Sequence, residues 1–461
     1  MRLLALVGVV VTGCSAGTPE IGCLYDCVPA SDLAEGDADE GRDFVLNQGY
    51  STCGVPTWLY ELSADLLGEP ELIEGRTGTN AVLDFRYTAS MSPRGVEVVN
   101  TNCLSCHADL RNGELVLGAP NVTKISSSTD RSTLALLRLV AESDEELTEL
   151  EVSMEIAAVT DRFVSDTVGL NVGASTLMAI AAHRDPDTLA WTDEAHMDEP
   201  GTPPLLDPPA WWTMRKKNAM FANTAGRGDW SMMAVNAGVA CAESVEASEA
   251  IYDASADVRA FVQSIEPPAW PWTVDEKLAR KGERVFEDTC AECHGLYAED
   301  EADEVYPNLV VPIEVVGTDP YEAEAAGVWQ DAWDGFFALN VWGEGVDWQP
   351  QAGYIAPPLD GIWASAPYFH NGSVPTLAGV IDSAARPTMW RRTSLDSDDY
   401  EQDEVGWRYE VLDGTIDDVA SDEQVYVHDT SQERQHATGH TFGDALDDDE
   451  RTALLEYLKT L

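Results

Sequence analysis

The feature that most constrains this chain is a pentapeptide of the form C-x-x-C-H, which occurs twice. Its members are Cys103, Cys106 and His107 in the first copy, and Cys290, Cys293 and His294 in the second. The two thiols of such a motif add to the vinyl groups of a haem, and the histidine that follows binds the iron as its proximal ligand. The sequence therefore predicts two covalently bound c-type haems.

Two other interpretations of the pentapeptide are dithiol redox motifs that happen to precede a histidine, and halves of zinc sites. A zinc site would need further pairs of ligands, and the 461-residue chain contains no third C-x-x-C. Two copies in a chain that also carries an export signal favour haem attachment.

The N-terminus has the composition of a targeting segment. Arg2 precedes a short apolar run over residues 3–11, and Val11-Thr12-Gly13-Cys14 resembles a lipobox. Cleavage there would leave Cys14 as a lipidated first residue, so residues 1–14 are predicted to be a lipoprotein signal peptide. The alternative is an ordinary secretory signal in which Cys14 is incidental. Both predict export, to the periplasm or to an outer-membrane anchor.

The charge balance limits the partners of the folded body. The chain has 27 basic and 82 acidic residues, a formal net charge of −55. Such a surface would repel nucleic acid and anionic lipid. It is compatible with a solubility adaptation to salt, or with steering of a cationic partner such as a small basic electron-transfer protein.

Nine cysteines are present, of which four belong to the haem motifs and one to the lipobox. The remaining four are Cys23, Cys27, Cys53 and Cys241. An even remainder in an oxidising compartment predicts two disulfides. The spacing leaves all three pairings open.

The domain organisation is read from composition and from breaks in apolar periodicity. Residues 15–45 are acidic and poor in large apolar side chains, which predicts a flexible tether. A proline- and tryptophan-rich stretch over 266–272 then separates an N-terminal haem domain, 46–265, from a C-terminal one, 266–461. The predicted fold class is mainly α: two cytochrome c-like haem domains with long loops and few strands.

One cluster of positive charge interrupts the acidic chain, at Arg215, Lys216 and Lys217. Haem propionates need cations or hydrogen-bond donors near them, so contact with a propionate is one interpretation. Local charge balance is the other.

Several stretches together resemble the bacterial di-haem cytochrome c peroxidase superfamily, and within it most closely the rubber-oxygenase-like branch. They are the two haem motifs, the tryptophan pair Trp211-Trp212 with its basic residues and Phe221, the long block from Pro357 to Leu377, and Gly439-His440 before the last helix. The resemblance covers roughly residues 90–461.

The resemblance implies a division of labour between the haems. The first has an open distal face, where the branch places an aromatic that Phe221 matches. The second relays electrons and is six-coordinate, with His440 matching the sixth ligand and His370 as the alternative. Of the other histidines, His428 and His436 are expected at the surface.

Two functions remain open at this point. In one, the first haem activates peroxide or dioxygen and the second supplies electrons, which makes the protein a redox enzyme. In the other, both irons are six-coordinate and the protein is only an electron carrier. Peroxide cleavage also needs a distal acid–base group, and among so many carboxylates the sequence singles out none.

Overall fold

The computed structural model describes residues 25–48, 50–67, 69–125, 131–231, 236–298 and 300–461. The predicted signal segment, with Cys14, lies outside these ranges, as does Cys23. The helices are Ala38–Asp43 (α1), Thr57–Leu67 (α2), Leu104–His107 (α3), Arg131–Leu137 (α4), Asp144–Thr160 (α5), Gly173–Ala182 (α6), Val245–Asp253 (α7), Ser255–Ser264 (α8), Glu276–Thr289 (α9), Ala291–His294 (α10), Ile313–Val316 (α11), Tyr321–Gly335 (α12), Leu377–Ile381 (α13) and Asp448–Leu458 (α14). Within the described ranges, no helix is long and apolar enough to cross a bilayer.

The strands are short, and none in the described ranges exceeds five residues. They are Asp26–Cys27 (β1), Val55–Pro56 (β2), Tyr87–Met91 (β3), Glu97–Thr101 (β4), Ala108–Arg111 (β5), Glu114–Leu117 (β6), Gly226–Gly228 (β7), Leu309–Pro312 (β8), Val346–Trp348 (β9), Gly353–Ile355 (β10), Met389–Arg392 (β11), Tyr400–Glu401 (β12), Gly406–Trp407 (β13), Tyr409–Val411 (β14) and His428–Asp429 (β15). They form small sheets in the orders β2-β4-β3, β5-β6, β1-β8-β10, β7-β9, β12-β13 and β14-β11-β15.

The first C-x-x-C-H motif lies between two antiparallel hairpins. β3 pairs with β4 before it, and β5 pairs with β6 after it. The second hairpin turns at Asn112 and Gly113, which have φ of 52° and 82°. An Asn-Gly pair with two positive φ values suits a two-residue hairpin turn, because its twist matches that of the strands.

The second motif follows a long helix. α9 leads into it and packs against the last helix, α14, with Phe286 and Leu454 in their shared core. The helices approach closely at Gly282, where a Cβ would lie 1.9 Å from the carbonyl oxygen of Ala453. α14 begins with a capping box formed by Asp447 and Glu450, which satisfies two N-terminal backbone donors.

The prediction of a flexible tether over residues 15–45 is wrong for the part that the structure describes. β1 pairs with β8, and α1 lies against α8, where a Cβ on Gly41 would be 1.9 Å from the Asp257 carbonyl oxygen. Val45 is buried in the main core. Only one face of α1 is covered, and its close contact is made by Gly41. Glycine carries no apolar side chain, so the packed segment lacks the large apolar residues that would have indicated it.

The two predicted haem domains pair strands with each other and share hydrophobic cores. β7 of the N-terminal half pairs with β9 of the C-terminal half. The main core joins Leu104 and Trp211 to Trp333 and Trp342. A second core joins Trp212 of the N-terminal half to the elements around the second motif. The boundary at 265/266 therefore divides the sequence but not the packing.

A disulfide joins Cys53 to Cys241, with their Cα atoms 5.2 Å apart. Cys27 is also disulfide-bonded. Of the three pairings that the sequence left open, the link between Cys53 and Cys241 excludes the two in which these cysteines have other partners.

Candidate functional site

Both C-x-x-C-H motifs open into one cavity of about 1330 Å³. The cavity is lined by the residues predicted to attach or ligate the haems and by the predicted distal aromatic: Cys103, Cys106, His107, Phe221, Cys290, Cys293, His294, His370 and His440. Most of its remaining wall is aromatic or aliphatic. An apolar cleft with a few polar groups converging on it is the usual form of a cofactor site.

The four motif cysteines are free thiols. The members of each pair are three residues apart on a single helical turn, so their side chains emerge on the same side. Burial raises the pKa of Cys103 to about 11 and that of Cys290 to about 12. These thiols face an apolar space and are not tied up in disulfides, as two thioether bonds to one haem require.

Each motif histidine is held in the same way. Nδ1 of His107 lies 3.1 Å from the carbonyl oxygen of Pro209, and Nδ1 of His294 lies 2.8 Å from that of Pro357. A carbonyl only accepts, so Nδ1 carries the proton and Nε2 keeps its lone pair for a metal. Burial lowers the pKa of His107 to about 4 and also lowers that of His294. Both imidazoles are therefore neutral, as iron ligands must be.

His440 faces His294 across the cavity. The two ring centres are 6.2 Å apart. Two imidazoles on opposite sides of one iron have centres roughly 6 Å apart, because each iron–nitrogen bond is about 2 Å long. The gap fits a haem iron. The alternative ligand, His370, instead stacks on Tyr354 with ring centres 4.2 Å apart.

The loop that carries His440 has a tightly constrained backbone. Gly439 and His440 have φ of 69° and 44°, and a Cβ on Gly439 would lie 2.1 Å from the carbonyl carbon of Gly317. Arg386 donates hydrogen bonds to the carbonyl oxygens of Gly439 and His440. The same guanidinium donates to Gly379 in α13. Arg386 thus fixes the loop to its neighbouring helix.

The surroundings of His107 are different. Its ring stacks on Trp211 at 5.0 Å, and among the described residues no second histidine ring contacts it. Phe221, with a φ of 67°, lies in the same cavity between the edges of Trp329 and Trp348, at 5.9 and 6.0 Å. Phe221 and these two tryptophans form an aromatic part of the wall of the shared cavity.

The basic cluster is divided between two environments. Lys216 forms ion pairs with Glu304 and Asp360 at 2.6 and 2.7 Å, and Arg215 lies 3.6 Å from Asp360. Local charge balance accounts for these two residues. Lys217 lines the cavity instead.

The prediction that His428 is a surface residue is wrong. It is 3 % exposed, and its ring stacks on Trp390 with centres 4.1 Å apart. His436 is half-buried and its Nδ1 lies 3.1 Å from the Thr430 carbonyl oxygen. His428 is buried because it belongs to β15, which pairs with β11 and brings the histidine ring onto Trp390.

The residues that hold the candidate ligands in place were not predicted from the sequence. The Arg386 side chain donates to the carbonyl oxygens of Gly439 and His440. The carbonyl oxygens of Pro209 and Pro357 lie beside Nδ1 of His107 and of His294, which are far away in the chain. One signal was present in the sequence: each half has a Pro-Pro pair shortly before a buried tryptophan, Trp211 or Trp363.

Comparison with known proteins agrees with part of this assignment. Residues 353–391 match the family described as RoxA-like, cytochrome c-like. The matched stretch contains Pro357, which orients His294, and Arg386, which holds the His440 loop.

Two proteins of Sinorhizobium fredii (strain NBRC 101917 / NGR234) are similar over longer stretches. The uncharacterized protein y4iJ is 29 % identical over 261 residues, which cover 43 % of this chain and 41 % of y4iJ. The uncharacterized protein y4iM is 26 % identical over 324 residues, which cover 60 % of this chain and 69 % of y4iM. The chain spans less than half the length of y4iJ. Residues 353–391 of this chain are therefore similar to a RoxA-like cytochrome c domain, a kind of domain that holds covalently bound haem c.

Proposed function

We propose that this protein is an exported di-haem c-type cytochrome that acts as an oxidoreductase of the rubber-oxygenase type. Cys103 and Cys106 hold the first haem, with His107 as its proximal ligand. Cys290 and Cys293 would hold the second, and the imidazoles of His294 and His440 would bind its iron. The first haem supplies the chemistry of dioxygen or peroxide activation, and the second supplies electrons.

The observation that carries the proposal is the asymmetry between the two motif histidines. A second imidazole stands 6.2 Å from the His294 ring, which leaves that haem no position for an external ligand. Among the described residues, no second imidazole contacts that of His107, whose ring stacks on Trp211. In this proposal one haem is therefore closed and suited to electron transfer, and the other is open to a small oxidant. His/His ligation also favours a lower potential than His/Met ligation would.

The chain's own groups shape the open pocket. Phe221, Trp329 and Trp348 form edge-to-face contacts that make a firm apolar wall and exclude water. Such a wall suits an apolar organic substrate, in keeping with the RoxA-like match. Pro209 keeps His107 in the tautomer that presents Nε2.

The electron partner in this proposal is a small basic protein, since the net charge of −55 attracts cations over long range. Attachment to a membrane through lipid on Cys14 belongs to the same proposal and follows from the lipobox.

The test of enzyme against carrier is turnover by the haem-loaded protein. Dioxygen uptake in the presence of an unsaturated hydrocarbon such as polyisoprene, and peroxide consumption with a reduced donor, are measured side by side. We expect one of the two oxidants to be consumed, and Phe221→Ala to change the rate while the spectrum of the second haem stays as it is. If neither oxidant is consumed, the protein is an electron carrier.

A further inference from the structure

A buried pair of opposite charges lies in the cavity beside Phe221. Glu322, in the first turn of α12, is 1 % exposed, and Lys217 is 8 % exposed. Both line the same cavity as Phe221. Ionisable side chains rarely occupy an apolar interior unless they are paired, and paired ones cluster at functional sites.

The start of α12 does not need Glu322 as a cap. Asp319 already accepts the hydrogen bond from the free backbone N–H of Tyr321. The Oε2 atom of Glu322 is buried and accepts no hydrogen bond from the described residues. A carboxylate oxygen that is left without a donor at this depth costs free energy, so it calls for a ligand or a proton.

The carboxylate is placed beside Phe221 by two separate contacts. The backbone N–H groups of Ala222 and Asn223, which directly follow Phe221, lie close enough to the carboxylate to lower its pKa. Trp329, seven residues further along α12, touches the Phe221 ring at 5.9 Å. Positions seven residues apart lie on one face of a helix. Glu322 and Trp329 therefore both face the segment that carries Phe221.

The surroundings of Glu322 and Lys217 shift the pKa values of both side chains towards neutral pH. Burial raises the pKa of Glu322 to about 7, opposed by the hydrogen bonds from Asn223 and Ala222 and by the charge of Lys217. Burial lowers the pKa of Lys217 to about 8. Among the described residues, Tyr354 also interacts with Glu322, and its hydroxyl donates to the Asp319 carbonyl oxygen.

We propose that Glu322 is the proton acceptor of the first haem's pocket, with Lys217 as its counter-charge. A weak acid such as hydrogen cyanide or hydrogen peroxide must lose a proton when it binds iron as an anion. The proton passes to the Glu322 carboxylate, which becomes a neutral carboxyl group, and no electron moves. This inference rests on the proposed function, because it requires the first haem to be open.

The experiment follows cyanide binding to the oxidised, haem-loaded protein by stopped-flow spectroscopy, over the pH range on both sides of neutrality. In the wild type, we expect the association rate to rise with pH as Glu322 loses its proton. Glu322→Gln should slow association by about 100-fold or more, as is usual on removal of a general base, and should flatten the pH profile. Glu324→Gln is the matched control: it removes an exposed carboxylate from the same helical turn and should bind cyanide as the wild type does.

Lys217→Gln provides a second reading that does not depend on the folding of the Glu322 variant. Loss of the ammonium charge raises the pKa of Glu322, so the midpoint of the cyanide profile should move to higher pH. Equal rates in the wild type and Glu322→Gln, or an unmoved midpoint in Lys217→Gln, would overturn the inference. A wild type that binds no cyanide would refute the proposed function, and the inference with it.

Discussion

Arg386 ties the His440 loop to the rest of the protein, and Arg386→Leu removes that tie while keeping an apolar side chain in place. The guanidinium donates to the carbonyl oxygens of Ala437, Gly439 and His440, at 2.8, 2.6 and 3.0 Å. It also donates to Gly379 in α13 at 2.7 Å. The loop would keep its contacts at Gly317 but lose its attachment to α13.

The expected magnitude follows from the three bonds to the loop. A hydrogen bond from a charged donor contributes about 1.5–3 kcal/mol net, which sets an upper limit of roughly 4.5–9 kcal/mol for three bonds. The carbonyls are half-buried, so water replaces part of this. We expect the free energy that holds the loop in its ligand-binding conformation to fall by about 3 kcal/mol. This corresponds to about a hundredfold change in the equilibrium between bound and released His440.

The assay is the affinity of the second haem for added imidazole, which competes with His440. Arg386→Leu should raise this affinity about a hundredfold, and Arg386→Lys should lie between, because an ammonium cannot reproduce the forked donor geometry. Arg391→Leu is the matched control: it removes the same charge five positions away, where the partners are Glu410 and Glu423 at the surface. An unchanged imidazole affinity in Arg386→Leu would refute the argument that this side chain positions the ligand.

Three further predictions follow from local geometry. Gly439→Ala should displace the ligand loop, since its Cβ would lie 2.1 Å from a backbone carbonyl carbon, whereas Gly95→Ala, with φ of 79° and open space, should leave the haem spectrum unchanged. Burial lowers the pKa of His428 to about 3. As pH falls below about 6.5, the unfolded chain therefore takes up a proton that the folded protein refuses, and the resulting loss of stability in urea denaturation should be shallower in His428→Phe. Replacing Cys53 and Cys241 with alanine opens a loop of 188 residues and should lower the free energy of unfolding by about 3–5 kcal/mol.

The groups that would bind the cofactor could be predicted from local sequence patterns. The C-x-x-C-H motifs are local patterns, and the Gly439-His440 turn has a composition that predicts a special backbone. The structure brings both motifs and His440 to one cavity. By contrast, Arg386 acts on carbonyls 51 to 54 positions away, and no sequence pattern encodes such contacts.

Glu322 shows a second reason why part of the site could not be predicted. It is one of 82 acidic residues, and what distinguishes it is its burial in the wall of the cavity, which Lys217 and Phe221 also line. Burial is a tertiary property, and here it depends on α12 packing under the segment that carries Phe221. The tether prediction failed for the related reason that α1 makes its contact through Gly41, which carries no apolar signal.

The central claim is that one haem is closed by two histidines and the other is open. Electron-resonance and carbon monoxide difference spectra of the haem-loaded protein test it together. We expect a single low-spin bis-histidine signal that His440→Ala abolishes, and binding of one carbon monoxide per chain in the reduced wild type. Two low-spin haems that bind no carbon monoxide, or a low-spin signal that survives His440→Ala, would contradict it.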